Sequence, residues 1–479
     1  MRRFRRTTLI TVGCLSVLAG LGLSRKVSFD PQIWFLLLIP ISLLLLKPRK
    51  IASLILVIFL GLSLGLWRGG VFMDRLSELK DLTGQKVTIE ATATSDAVYA
   101  KRSQLEFTAN HAQLLQVQYL KEGEGELVGR FKISGFGLPM VYRGDRIQVT
   151  GKLYPMRGAN QARIAYAQLQ RVGSDTNWIN ALTRRFSAGM QSALPEPNAS
   201  FGLGLLIGQR NNLPQELTNQ LIMVGLVHIV AVSGYNLTIL VRASTRMKLG
   251  SKYQRLLLSL GLIIVFVLMT GFSASIVRAA IVSILSLWAW YYGRKVRAIL
   301  LIAFTAALTG LVNPFYVWGD LGWYLSFLAF FGVLTIAPLA AKKLFSRQPK
   351  LLTMVVLETL AAEVMTLPLI MMTFGQLSLI GLLANALVVP LVPWAMLLAA
   401  IAGGAGMLIP ALAGWFAWPA NLLLTYILDI VRFLSDIPGI FLHRSISTAG
   451  MLSFYAAVVL VILVAHRHHS TPITDTIKG

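Results

Sequence analysis

Ile51-Ala-Ser-Leu-Ile-Leu-Val-Ile-Phe-Leu-Gly-Leu-Ser-Leu-Gly-Leu66 carries no charge and follows the basic cluster Lys47/Arg49/Lys50. An apolar run of this kind, basic on one flank, reads as a helix crossing a bilayer. The rest of the chain repeats the theme. Similar runs lie near 7–23 and 33–46 before it, and near 217–241, 254–271, 273–293, 297–312, 321–341, 351–373, 375–400, 412–434 and 449–465 after it. Over all 479 residues, 55 % are hydrophobic and only 13 % charged, too little charge to clothe a soluble fold of this length. The net charge of +24 comes from few acids rather than many bases, which excludes a basic soluble nucleic-acid binder. The single cysteine, Cys14, excludes an intrachain disulfide and a cysteine metal site. Met1-Arg-Arg-Phe-Arg-Arg6 before the first run reads as the start of an uncleaved helix, because Gly20-Leu-Gly-Leu-Ser-Arg25 is a poor signal-cleavage site.

The fold class expected is therefore a polytopic α-helical membrane protein of about 12 spans with one inserted all-β domain. Three helices occupy 1–70. Residues 74–175 differ, with 14 Lys+Arg against 11 Asp+Glu and alternating stretches such as Lys86-Val-Thr-Ile-Glu-Ala91 and Asp145-Arg-Ile-Gln-Val-Thr-Gly-Lys-Leu153. Alternation bounded by Gly, Asn and Pro predicts about five short strands, and a small barrel of the OB type fits them. Residues 176–197 predict an amphipathic helix on the outer membrane surface, ended by Pro195 and Pro197. The region 199–466 returns to the membrane, and 467–479 is a tail. Three crossings from an inside N-terminus place the β domain outside the cytoplasm. The basic loops around Arg242–Arg255, Arg294–Arg297 and Lys342–Lys350 then fall inside, as does the C-terminus.

Polar residues inside apolar spans are the candidates for function. Gly225-Leu-Val-His-Ile-Val-Ala-Val-Ser-Gly-Tyr-Asn236 holds His228, Ser233, Gly234 and Asn236, with helix–helix hydrogen bonding as the alternative. Arg278 either faces a hydrated path or snorkels to the outer interface, and Asp320, just before Trp323, either pairs with Arg278 or caps a helix. Glu358 and Glu363 share one span but not one face, and Glu363 favours a pore-lining role. Together His228, Ser233, Gly234, Asn236, Arg278, Asp320, Trp323 and Glu363 are the channel-lining candidates. In the β domain, basic residues interleave with aromatics. Arg130, Lys132, Arg143, Arg146, Lys152, Arg157 and Arg163, with Phe131, Phe136, Tyr142, Tyr154 and Tyr166, suit contact with a single nucleic-acid strand. The net charge of about +3 fits a solvated surface equally. No phosphate-binding Gly-x-x-x-x-Gly-Lys-Ser/Thr loop and no zincin pattern occurs, so neither ATPase, metal site nor cofactor is expected.

The stretch Gly225–Asn236 resembles the signature of the ComEC-type competence proteins, inner-membrane channels of DNA uptake. The resemblance runs in the family's order through Gly204-Leu-Leu-Ile-Gly-Gln-Arg210, Val277-Arg-Ala279, Asn313-Pro314 and Asp320-Leu-Gly-Trp-Tyr-Leu-Ser-Phe327. It continues through Leu367-Pro368, Phe374-Gly-Gln-Leu-Ser378 and Leu383-Ala-Asn-Ala-Leu-Val-Val-Pro390. It implies translocation of single-stranded DNA across the bacterial cytoplasmic membrane during natural transformation, with both termini cytoplasmic. Many members end in a metallo-β-lactamase-like nuclease domain, and this chain stops soon after its last span without those His/Asp motifs. The resemblance therefore implies conduction without catalysis, with a cytoplasmic helicase or motor and a separate nuclease as partners. Two other classes remain open: a transporter or assembly scaffold for another envelope polymer, and a membrane-embedded hydrolase using Ser233, His228 and Glu363.

Overall fold

The computed structural model of the chain describes residues 5–27, 51–101, 104–117, 121–122, 126–127, 129–136, 141–156, 160–174, 178–209, 213–230, 251–271, 274–294, 297–345 and 351–468, with Leu237, Val241, Ser244 and Pro349. Among these, seven helices are long and apolar enough to cross a membrane: Arg6–Leu23, Ile51–Leu76, Lys252–Thr270, Leu321–Leu344, Thr353–Phe374, Gly381–Leu408 and Pro410–Ser435. Shorter apolar helices at Asn198–Ile207, Ser275–Tyr291, Ala298–Val312 and Thr448–Ile462 accompany them. The chain is a helical membrane protein carrying one small β domain. The expected crossing at 33–46 and the end of the tail lie outside the described residues.

Helix α1 (Arg6–Leu23) packs parallel to α2 (Ile51–Asp81). Gly13 meets Val57, Gly20 meets Leu62 and Gly65, and Gly61 meets Ser16 and Val17. Small residues at these points let two backbones approach closely, which is how helices associate where lipid removes the hydrophobic drive. The sequence suggests that α2 ends near residue 70, but it runs to Asp81, 31 residues or about 46 Å. Its continuation is decided by packing: Leu79, with Leu76 and Leu82 beside it, enters the core of the β domain. The β domain accordingly starts at Lys86 rather than at 74.

The sheet of that domain has eight described strands rather than about five. Five of them form its ring: β1 (Lys86–Ala93), β2 (Gln104–Val117), β3 (Phe131–Phe136), β4 (Asp145–Pro155) and β5 (Ala162–Ser174). Three short strands at Val98–Lys101, Lys121–Glu122 and Glu126–Leu127 pair with β2. β1 pairs with both β2 and β4, β2 with β3, β3 with β5, and β5 with β4, so the ring closes. Every pair is antiparallel except β3–β5. Alternating inward residues fill the closed ring: Val87, Ile89, Phe107, Ile133, Ile147, Val149, Leu153 and Ile164 all point inward and are buried. Closing the sheet removes the edges that a five-stranded sheet would otherwise expose.

Helix α3 (Trp178–Ala193) follows the barrel. It departs from the expected surface helix, since its apolar face is covered by protein. Phe186 and Met190 are buried against Gly403 of the helix Val392–Leu408, and Gly189 abuts Gly406 backbone to backbone. Two expected spans are also broken. The stretch 217–241 begins as the helix Gln215–Met223 and turns at Gly225, whose φ of +74° favours glycine, before a short second helix at Val227–Val230. The stretch 375–400 starts with a strand, Gln376–Ser378, paired to Phe441–His443, and becomes helical only from Gly381.

Candidate functional site

The barrel stands at the end of the membrane region where α1, α2 and the helices Lys252–Thr270 and Ala298–Val312 finish. Two arginines fasten this end, Arg143 joining the barrel to a membrane helix and Arg68 joining two membrane helices. Arg143 donates from Nη1 to the Met269 carbonyl and from Nη2 to that of Leu268, both at 3.2 Å. Arg68 of α2 likewise donates to Leu311 at 2.7 Å and Val312 at 3.1 Å. Each guanidinium thus satisfies carbonyls that a helix C-terminus leaves open, where the helix dipole also favours a cation. The Arg143 backbone N–H donates to Asp96 Oδ1 at 2.8 Å, and Gln209 Nε2 donates to Asp96 Oδ2 at 3.1 Å. Burial lowers the Arg143 pKa, and the neighbouring Asp96 charge opposes that shift. A polar cavity of about 140 Å³ lies between barrel and membrane helices, lined by Asp96, Tyr142, Arg143, Asn180, Arg184 and Gln209 among others.

The opposite end of the helices carries Lys252, Arg255, Lys342 and Lys343. Lys252 Nζ donates to the Tyr291 carbonyl at 2.5 Å and, with Arg255, lies over the Trp290 ring. Lys342 and Lys343 occupy the last turn of Ala337–Leu344.

The strand-guiding candidates separate into groups. Arg143 is an anchor whose guanidinium is spent on helix ends, and Tyr142 lies under Arg184 with 5.8 Å from Cζ to the ring centroid. Lys132 and Arg163 share the Glu106 carboxylate at 2.9 and 3.5 Å, and Arg146 pairs with Glu90 at 2.6 Å. The Arg130 backbone N–H donates to Gln161 Oε1, and Arg157 lies outside the described residues. Lys152 and Tyr154 are exposed. Phe131 must be corrected: it is fully buried in the barrel core and offers no face to a ligand. Alternation along β3, which points Phe131 inward and Lys132 outward, is the signal that separates them.

Of the channel candidates, Ser233, Gly234 and Asn236 lie outside the described residues. His228 is exposed, and its Nδ1 lies 3.1 Å from the Gly225 carbonyl. The turn at Gly225 brings three distant stretches together. Gly225 lies against Gly381 and Ser378, while Gly381 lies beneath Glu363. Asn385 Nδ2 donates to Glu363 Oε2 at 3.4 Å. Asn385 is buried, and its Oδ1, like Ser378 Oγ, has no hydrogen-bond partner among the described residues. Sequence reasoning missed Asn385 and Ser378 as site residues. The signal was available, since Asn385 is an amide inside the apolar run Leu382–Val389. Glu358, not Glu363, is the more buried of the two acids.

Arg278, Asp320 and Trp323 form a second cluster. Snorkelling is corrected here: Arg278 is only 2 % exposed, donates from Nη2 to the Gly322 carbonyl at 3.0 Å, and lies over Phe327. Its Nε and Nη1 have no partner among the described residues. Asp320 is buried and caps the helix Leu321–Phe331, accepting from the Trp323 N–H at 2.8 Å. Trp323 is also buried, donating from Nε1 to Thr309 Oγ1 at 3.0 Å, so it packs helices together rather than lining an open surface.

A family model described as "Competence protein" matches residues 205–468. ComE operon protein 3 of Bacillus subtilis (strain 168) is 25 % identical over 291 residues, 60 % of this chain and 36 % of that protein. The chain therefore spans little more than a third of that relative's length. No solved structure matches.

Proposed function

Because the chain belongs to the competence protein family, we propose that it passes single-stranded DNA across the cytoplasmic membrane during DNA uptake. In this reading the barrel is an OB-type domain outside the cytoplasm that guides the strand. Its support is the ring order β1-β2-β3-β5-β4 with one parallel pair, the order of a five-stranded Greek-key barrel of that type. About 12 crossings and cytoplasmic termini complete the reading.

One observation carries it furthest. The barrel is fixed to one end of the membrane helices by Arg143, whereas Lys252, Arg255, Lys342 and Lys343 gather at the other. The positive-inside rule makes the second end cytoplasmic. A strand arriving from outside then meets the barrel first, next the cleft at Asp96 and Gln209, and then the polar groups at Gly225, Glu363 and Asn385. Buried polar groups at membrane depth are tolerated where they meet one another or water, which suits a path for a polyanion with hydrated bases. The chain's own residues conduct rather than cleave, and a cytoplasmic motor and a separate nuclease supply force and degradation.

Uptake of labelled DNA by a deletion strain complemented with wild type or Glu363→Leu tests the path. The expected result is a loss of uptake of at least tenfold in the variant at equal protein level. Normal uptake in the variant would return Glu363 to helix packing. Gln170→Cys in a Cys14→Ser background tests the side: an impermeant thiol reagent should label it on spheroplasts, and labelling only after lysis inverts the orientation.

A further inference from the structure

Tyr166 is 74 % exposed and has φ +53°, a region that a bulky side chain rarely takes. It sits at a bulge in β5. The register slips against β4 between Thr150 and Lys152 and against β3 between Ile133 and Gly135. Both flanking strands meet the bulge with glycine. A Cβ on Gly151 would lie 2.7 Å from Ile164 Cγ2 and 3.0 Å from the Ala165 carbonyl oxygen, and one on Gly135 would strike the Ala167 carbonyl oxygen. The sequence thus makes room on two neighbouring strands for one strained residue. The strain is not offset by burial, and Tyr166 has no hydrogen bond or ring contact among the described residues. Strain that yields no packing points to use of the side chain.

Two more exposed rings align with it. Phe136 on β3 stands opposite Gln168, and Tyr154 on β4 stands opposite Arg163. Strand spacing of about 4.8 Å and a rise of about 3.3 Å per residue put these rings roughly 8 and 11 Å from Tyr166, on one diagonal across β3, β5 and β4. Lys152 lies opposite Ala165, next to Tyr166, and Arg163 and Lys132 flank the row, with Glu106 as their acidic partner among the described residues.

We infer that this diagonal is a base-stacking platform for single-stranded nucleic acid, with Tyr166 as its central ring and Lys152 and Arg163 facing phosphates. The inference rests on the proposed passage of a strand past the barrel and names the surface that does the guiding. Ring spacing well above the roughly 3.4 Å between bases along a duplex requires an unstacked, hence single, strand. Stacking tolerates any base, and the cations follow the backbone. A neutral glycan would use the rings but not the charges, so charge favours nucleic acid.

The test is fluorescence anisotropy of a labelled 15-nucleotide oligothymidylate on the full chain in nanodiscs. An abasic strand of equal charge and a chitin oligosaccharide serve as the other probes. Wild type should bind the thymidylate more tightly than the abasic strand. Tyr166→Ala should weaken thymidylate binding roughly tenfold, to the abasic level, while Tyr166→Phe restores it. Tyr154→Ala, which removes a ring without touching the bulge, should weaken binding in the same direction. Wild type that binds thymidylate with Tyr166→Ala and Tyr154→Ala unchanged overturns the platform while leaving barrel guidance standing. Wild type that binds neither strand overturns both. Binding of the oligosaccharide alone, lost in Tyr166→Ala, would assign the rings to a glycan instead.

Discussion

The barrel and the membrane half expose opposite kinds of residue. The barrel core is apolar apart from Ser134, Gln161 and Asp145, the last paired with Arg171, and most of its charges sit outside in pairs such as Arg146–Glu90 and Lys132–Glu106. In the membrane half the outside is apolar, with Trp415 83 % exposed and Leu408 and Phe433 nearly as open. Its interior holds Arg278, Asp320, Asn198, Asn385, Thr305 and Thr309. Asn198 Nδ2, for instance, donates to Asn421 Oδ1 at 2.6 Å and Thr425 Oγ1 at 2.7 Å. The inversion follows the solvent. Water rewards polar surface, whereas hydrocarbon leaves polar groups only the protein to bond with. Cohesion differs too: barrel strands share an apolar core, while helices close on glycines, as α1 and α2 do at Gly20 and Gly65.

The largest effect should come from the barrel core. Phe131→Ala removes a fully buried ring and should cost about 3–5 kcal/mol, opening the barrel to limited proteolysis while the membrane helices stay protected. An intact barrel with weakened strand binding would instead restore Phe131 as a ligand contact. Next is Gly406→Leu, which forces a side chain into the Gly189 backbone and should cost roughly 1–3 kcal/mol, read as a lower melting temperature in detergent. No change there would mean that glycine contact is not what holds α3 to the membrane region.

Arg143→Met tests the joint between the two regions. Loss of two charge-assisted bonds to Leu268 and Met269 should cost about 1–3 kcal/mol locally. It should show as faster hydrogen exchange at residues 265–270 with the barrel interior unchanged. The smallest effect is expected from Arg146→Ala. Its pair with Glu90 is about half exposed on the arginine side, and the loss should stay below about 1 kcal/mol in barrel stability. A larger loss would mean that the barrel's outer charges contribute to its fold as the membrane half's buried polar groups do.

Legibility in the sequence also differed between the two halves. Alternation announced the barrel strands and, read strictly, would have told Phe131 from Lys132. What it missed was local: the bulge that throws Tyr166 outward depends on glycines in two other strands. In the membrane half, hydropathy located most helices, and an acid before a helical run correctly admitted the capping role of Asp320. It failed where one segment answers to another. The amphipathic α3 has the pattern of a surface helix, yet its Phe186 and Met190 meet Val392–Leu408. The apolar run after Gly375 reads as one span but opens with a strand held by Phe441–His443.

By itself the sequence determined the solvent of each segment, because charge density and hydrophobic period are local properties that water and lipid select directly. It thereby determined the membrane class, the inserted β domain and the family signature around Gly225. Only the tertiary structure decided which groups meet: Gly225 with Ser378 and Gly381 below Glu363, Arg143 at the end of Lys252–Thr270, and Arg278 over the Phe327 ring. Such meetings join residues dozens or hundreds of positions apart. They are fixed by how closely backbones can pack and by which buried donors and acceptors find each other, and no local pattern encodes either.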